Sequence, residues 1–241
     1  MEINKENLVG EIVASNYQTA TVFKKYGIDF CCNGNRSIEN ACKGQDIDST
    51  ILIEELKEVD AKVQADHDYE SWNIGFLSDY IYNNHHRYVE RKIPEIKGHL
   101  DKICQVHGDN HPELFEIRNL FSDSANELTM HMKKEEIILF PYFRKLAEAL
   151  ESGDPILSGQ FKSAESPIAV MHKEHDNEGE RFRRINQLTN NYTIPEDACG
   201  TYQVTFSLLK EFEEDLHKHI HLENNILFSK ALKIEKELSL K

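Results

Sequence analysis

Two stretches of this chain, ELTMHMKKEEIILFP at 127–141 and EEDLHKHIHLENNILFS at 213–229, repeat one another, and both place a histidine four residues before a glutamate. The pairs are His131 with Glu135 and His219 with Glu223, each followed by an apolar triplet. On an α-helix a four-residue step leaves two side chains about 40° apart on one face and about 6 Å apart along the axis. Both stretches are therefore expected to be helices that aim an imidazole and a carboxylate the same way. A single H-x-x-x-E is commonplace on a solvated face. Two in matched contexts, read as an old duplication, point to a shared site.

The surrounding pattern fits an all-α chain. Only 6 prolines and 11 glycines interrupt it, and apolar residues recur at three- and four-residue spacing with little alternation. Residues 1–65 read as a small N-terminal helical domain, with short helices at Leu8–Ala14, Thr19–Tyr26, Ser37–Cys42 and Ser49–Val63, the last opening on a Ser/Thr cap. Residues 72–241 read as an up-down four-helix bundle of Trp72–Val106, Pro112–Leu150, Ile156–Leu188 and Glu196–Leu238. HGDNHP, ESGDP and NNYTIPED supply the breaks, while Pro94 and Pro141 fall inside helices that they should kink or loosen.

The other two long helices offer single histidines, His86 within HHRYVERKIP and His175 within VMHKEHDNEGE. With the repeated pairs they make four imidazoles and two carboxylates, a mixed N/O set that suits iron or manganese better than a thiolate zinc site. Bridging glutamates suit a pair of metals. His217 and His221 flank His219 at two residues and are expected on a solvated face, and the Lys133–Lys134 doublet likewise. His172, one turn before His175, is a candidate for supporting it.

Bulk properties narrow the partners. Lys and Arg number 28 against 42 Asp and Glu, a net charge of −14, which repels phosphate backbones and anionic headgroups and argues against nucleic acid and membrane. No apolar run approaches the roughly 20 residues that span a bilayer, and no basic-then-apolar leader is recognisable. Five cysteines, two of them adjacent, suit a reducing cytoplasm. Cys31 and Cys32 lie in a polar loop, GIDFCCNGNRS, badly suited to packing. A lowered pKa there would make them a redox, nitrosothiol or metal-relay site, against the plainer reading of two small buried apolar groups. Cys42, Cys104 and Cys199 read as structural.

The pairs in HMKKEEIILFP and HIHLENNILF, the MHKEHD segment and the N-terminal GIDFCCNGN together resemble the Repair of Iron Centres family of hemerythrin-like di-iron proteins, over nearly the whole chain. The resemblance implies a cysteine-bearing N-terminal domain and a hemerythrin-like bundle holding two non-haem irons. His86, His131, His175 and His219 would be terminal ligands, and Glu135 and Glu223 bridges. His86 is preferred to His85 because it stands eight residues before Pro94, as in the family pattern. Six protein ligands leave room for an oxo or hydroxo bridge or nitric oxide. The implied role is repair of iron–sulfur clusters damaged by nitrosative or oxidative stress, by supplying iron to damaged client proteins, with a homodimer expected. Alternatives are reduction of nitric oxide at the di-iron site and an oxygen-binding or oxygen-sensing hemerythrin. No flavin or NAD fingerprint is present, so redox turnover would need an external electron donor. An oxygen carrier has no need of the cysteine segment.

Overall fold

A computed structural model describes residues 3–43, 45, 47–62, 67–153 and 163–239. The fold is all-α, an N-terminal helical domain followed by a hemerythrin-like helical bundle, and among the described residues the only β pairing is an isolated bridge between Leu8 and Ser37. The N-terminal helices are α1 (Val9–Ser15), α2 (Ala20–Lys25), α3 (Ile38–Cys42) and α4 (Ser49–Lys62). Ser37 caps α3 by accepting from the Asn40 N–H at 3.3 Å. At α4 the cap is Asp48, whose carboxylate accepts from the Thr50 N–H at 2.8 Å, in place of the expected Ser/Thr cap. The expected end of that helix, Val63, and the boundary at 65 lie outside the described residues.

The bundle helices are α5 (Ile74–Ile81), α6 (Arg87–His107), α7 (Glu113–Lys134), α8 (Phe140–Ser152), α9 (Glu165–Leu188), α10 (Gly200–His221) and α11 (Phe228–Ser239). Three of the long helices expected from the sequence are thus each divided by a π-helical turn, at Tyr82–His86, Glu135–Leu139 and Leu222–Leu227. Some expected ends move for local reasons. Asn73, accepting from the Gly75 N–H at 2.7 Å, starts α5 at Ile74 and leaves Trp72 extended. The Ala198 N–H donates to the Pro195 carbonyl at 3.2 Å, a turn that holds 196–199 out of α10. Residues 154–162, with the expected start at Ile156, lie outside the described residues. Pro94 lies within α6, which continues to His107, and Pro141 is the second residue of α8, just after a π turn.

Packing divides the chain into two compact units. One comprises residues 79–142 and 165–217. Here α7 packs on α6 and on α9, and Phe212 stacks on Phe182 and meets Phe121 edge-on, with centroids at 5.7 and 5.3 Å. The other comprises 1–78, 143–164 and 218–241. In it α1 packs on the π turn Leu222–Leu227, over a core that includes Val9, Ile12, Phe23, Phe30 and Leu56. Residues 7–10 and 34–38 are tied side by side, with the Gly10 N–H donating to Gly34 at 2.7 Å and the Val9 N–H to Arg36 at 2.9 Å. A Cβ on Gly10 or Gly34 would come within 2.4 or 2.8 Å of the Asn225 Oδ1, so this contact requires glycine on both sides.

Candidate metal centre

In the first of these units the apolar stripe of each helix carries the polar donors inward. On α7 the buried positions run Leu114, Ile117, Phe121, Ser124, Ala125, Leu128, and His131 continues them. On α9 they run Ile168, Met171, then His175, and resume at Phe182. A side chain at these spacings faces the core whatever its polarity. His86 is fully buried and stacks on Phe140 at 5.4 Å.

These donors converge on Glu135, the first residue of a π turn. Its carboxylate is fully buried with neither oxygen hydrogen-bonded. Its Oε2 lies 3.4 Å from the Nε2 of His86 and 3.4 Å from that of His131. The Nε2 atoms of His131 and His175 are 3.0 Å apart, and donor atoms of His131, Glu135 and His175 all lie within 4.8 Å of one another. The far ring nitrogens fix the tautomers. The Nδ1 of His86 meets Glu136 at 2.8 Å and that of His131 meets Glu174 at 2.9 Å. An Nδ1–H given to a carboxylate leaves Nε2 as a lone pair, so lone pairs and an ionisable carboxylate face one another in a dry pocket. Removing a carboxylate from water without partners is very costly, and a cation at the convergence point removes the cost. The residues present therefore fit a metal ion.

His85 is also buried, but its Nδ1 meets Asp215 at 2.9 Å, whereas His86 faces Glu135. Hydrogen bonds from His131 and from Lys134 hold the Glu174 carboxyl down to about 2, so it stays ionised beside the ring. Lys134 is thus engaged in an ion pair and is not simply solvated as expected, while Lys133 is exposed. One turn past His175, burial pushes Glu178 up, opposed by its hydrogen bonds with Ser124 and Arg181. A cavity of about 410 Å³ opens beside these groups, lined among others by His131, His175, Lys134, Glu174 and Glu178. His172 is exposed, and the ring of His131 is supported by Glu174.

The other unit brings His219 and Glu223 together, Nε2 to Oε1 at 2.9 Å, both buried. The sequence expectation that His221 is solvated is overturned: it is 1% exposed. Rings of Tyr17 and Phe30 cover it at 5.7 and 6.1 Å, and burial, with Lys218 nearby, lowers it to about 3. That cover comes from turns and loops of the N-terminal segment, which no pattern local to α10 announces. His217 is half-buried.

The same unit holds the adjacent cysteines. Cys31 is buried and Cys32 half-buried, with sulfurs 3.9 Å apart. The expected lowering of the pKa is not found at Cys31. Its hydrogen bond with Cys32, its burial and the nearby Asp29 charge push that thiol well up. Cys42 and Cys104 are buried, in line with a structural reading, but Cys199 is exposed. A hydrogen bond with His107 and backbone N–H groups at the start of α10 lower the Cys199 thiol to about 7.

Comparison with known proteins divides the chain differently from the packing, into one N-terminal and one longer match. Residues 78–231 match the Hemerythrin HHE cation binding domain, and residues 5–60 match ScdA_N, a Domain of Unknown function (DUF542). The Iron-sulfur cluster repair protein ScdA of Staphylococcus haemolyticus is 31% identical over 233 residues, covering 95% of this chain and 99% of that protein. The Iron-sulfur cluster repair protein YtfE of Musicola paradisiaca is 31% identical over 231 residues, 96% of this chain and 98% of its own. YtfE of an Enterobacter species is 32% identical over 228 residues, 95% of this chain and 97% of its own. Buried His/Glu clusters inside a cation-binding domain, with near-complete coverage of these relatives, place the assignment beyond the bundle alone: the chain belongs to the hemerythrin-like family of iron–sulfur cluster repair proteins typified by ScdA and YtfE.

Proposed function

We propose that this protein repairs iron–sulfur clusters, the role its relatives are named for, and that it does so after nitrosative or oxidative stress by supplying iron to the damaged client proteins. The observation that carries the reading is Glu135, a fully buried carboxylate with no hydrogen bond and two imidazole nitrogens 3.4 Å from one oxygen. The cargo would be a pair of non-haem irons, which His86, His131, His175 and His219 would hold as terminal ligands and Glu135 and Glu223 as bridges. The matched sequence contexts of His131/Glu135 and His219/Glu223 support a shared role for the two pairs. When bound, such a pair supplies exchangeable ferrous iron.

The chain's own residues do the rest. Glu136 and Glu174 hold the rings of His86 and His131 with Nε2 turned toward Glu135. The mixed imidazole and carboxylate donors would hold iron rather than a thiophilic metal. Cys31 and Cys32 are the second working part, in an N-terminal domain of residues 1–65 attached to the bundle of 72–241. We assign the protein to the cytoplasm as a homodimer, reduced by an external electron donor. Among the described residues no helix is long and apolar enough to cross a membrane.

The test is reconstitution. Iron-loaded protein should restore activity to a client enzyme whose cluster has been nitrosylated, with loss of iron from the donor followed by Mössbauer spectroscopy. His131→Ala and Glu135→Ala should bind less iron and restore little activity. Restoration at the wild-type rate by either variant would overturn the proposal.

A further inference from the structure

The His/Glu centre does not account for a second convergence of donor atoms, built wholly from the cysteine loop. The carboxylate of Asp29 and the sulfurs of Cys31 and Cys32 lie within 4.8 Å of one another. The two sulfurs are 3.9 Å apart, and the Cys31 Sγ is 3.4 Å from the Asp29 Oδ1. A tetrahedral ion with metal–sulfur bonds of about 2.3 Å sets its sulfurs about 3.8 Å apart, and with a metal–oxygen bond of about 2.1 Å its sulfur–oxygen edge is about 3.6 Å. Two edges of such a polyhedron are thus already close to these lengths, and the third pair of donors lies within 4.8 Å. A bond between the sulfurs is the poorer use of the pair, since closing a disulfide between neighbouring residues strains the intervening peptide.

The loop is also held still. Asp29 accepts from the N–H groups of Cys31 and Cys32 at 3.1 and 2.9 Å, and from the Asn33 side chain at 2.9 Å. From the other side, Asn224 donates to the Cys31 carbonyl at 3.1 Å and Asn225 to the Phe30 carbonyl at 3.2 Å. Cys31 is 4% exposed, whereas the half-buried Cys32 leaves an approach from solvent. Donors fixed by backbone contacts before the ion arrives lower the ordering cost of binding it.

We propose that Asp29, Cys31 and Cys32 form a second cation site, with an S2O donor set that takes a thiophilic divalent metal and leaves a fourth position for an incoming ligand. Binding breaks two S–H bonds and forms two metal–sulfur bonds, and both protons leave to solvent, so no oxidant or reductant is required. Two thiolates select against magnesium and calcium and for zinc, cobalt or ferrous iron. Asn224 follows Glu223 directly and holds the Cys31 carbonyl, so the site hangs on the segment that carries that glutamate. A role in passing iron rests on the repair reading above; the site itself does not.

Cobalt(II) tests it on the full-length, iron-loaded chain under anaerobic conditions. Thiolate ligation gives a sulfur-to-cobalt charge-transfer band in the near ultraviolet, which imidazole and carboxylate ligands cannot produce, so failure of the His/Glu reading would leave this readout intact. Stoichiometric cobalt should give the band with visible transitions of tetrahedral intensity. Cys31→Ser and Cys32→Ser should each abolish it. Asp29→Asn, whose amide oxygen can keep the backbone hydrogen bonds, should weaken binding by about tenfold or more. Cys199→Ser should leave the band unchanged. Far-UV circular dichroism checks folding, and the less buried Cys32 variant carries the test if Cys31→Ser is unstable. No band in excess cobalt, a full band in Cys32→Ser, unchanged affinity in Asp29→Asn, or loss in Cys199→Ser would overturn the site.

Discussion

His86 and His131 each hand one ring nitrogen to a carboxylate outside the centre and keep the other turned inward. If His86 and His131 ligate a metal as proposed, Glu136 and Glu174 support the binding without touching the ion. Replacing Glu136 by Gln keeps an acceptor for the ring but removes its charge, and should lower iron affinity by about tenfold to a hundredfold, measured by competition with a chelator. The proposed pairs His131/Glu135 and His219/Glu223 stood out in the sequence because they occur twice in matched contexts. The supporting carboxylates did not, since Glu136 and Glu174 look like any solvated acid in a chain with 42 of them. Cys199 was misjudged in the same way, its environment being set by His107 on another helix. The thiol is held at about 7, so its alkylation rate by iodoacetamide should climb through that pH. In His107→Ala the climb should move toward the ordinary thiol value of about 8.5. An unchanged profile would remove His107 from the account.

At the level of elements, the described residues of all four long stretches expected from the sequence are largely helical, but their π turns were invisible to it. No residue type marks a π turn, which widens the helix for one turn and shifts the faces that follow. Glu135 opens one, Glu223 lies in another, and His85 and His86 end a third. The extra residue is where the regular 3.6 spacing used to read the sequence gives way, and π turns are frequently found at functional sites. The π turn at Leu222–Leu227 also seats the N-terminal segment, since Asn225 fills the notch left by Gly10 and Gly34. Gly10→Ala should cost about 1–3 kcal/mol through this overlap, read as a lower midpoint in urea denaturation. A neutral result would mean that Asn225 moves aside freely.

For the molecule as a whole, the −14 net charge sets a background that individual contacts only modulate. Like charges repel most in the compact state, so raising salt from about 10 to about 200 mM, which shortens the screening length severalfold, should raise the melting temperature of the metal-free protein. A fall would point instead to stabilising ion pairs such as Lys25–Glu55 as the larger effect. The interleaving of the two compact units bears on a different process, synthesis. One unit is assembled from the first 78 residues, a middle piece at 143–164 and the last stretch from 218. Its contacts join residues such as Phe30 and Asn225, almost the full chain apart, and such long-range closure is slow. While the chain is still emerging from the ribosome, the loop with Cys31 and Cys32 waits for Asn224 and Asn225. Its thiols are at their most accessible then, and Cys31 becomes sheltered only once residues 224 and 225 have been made and can dock.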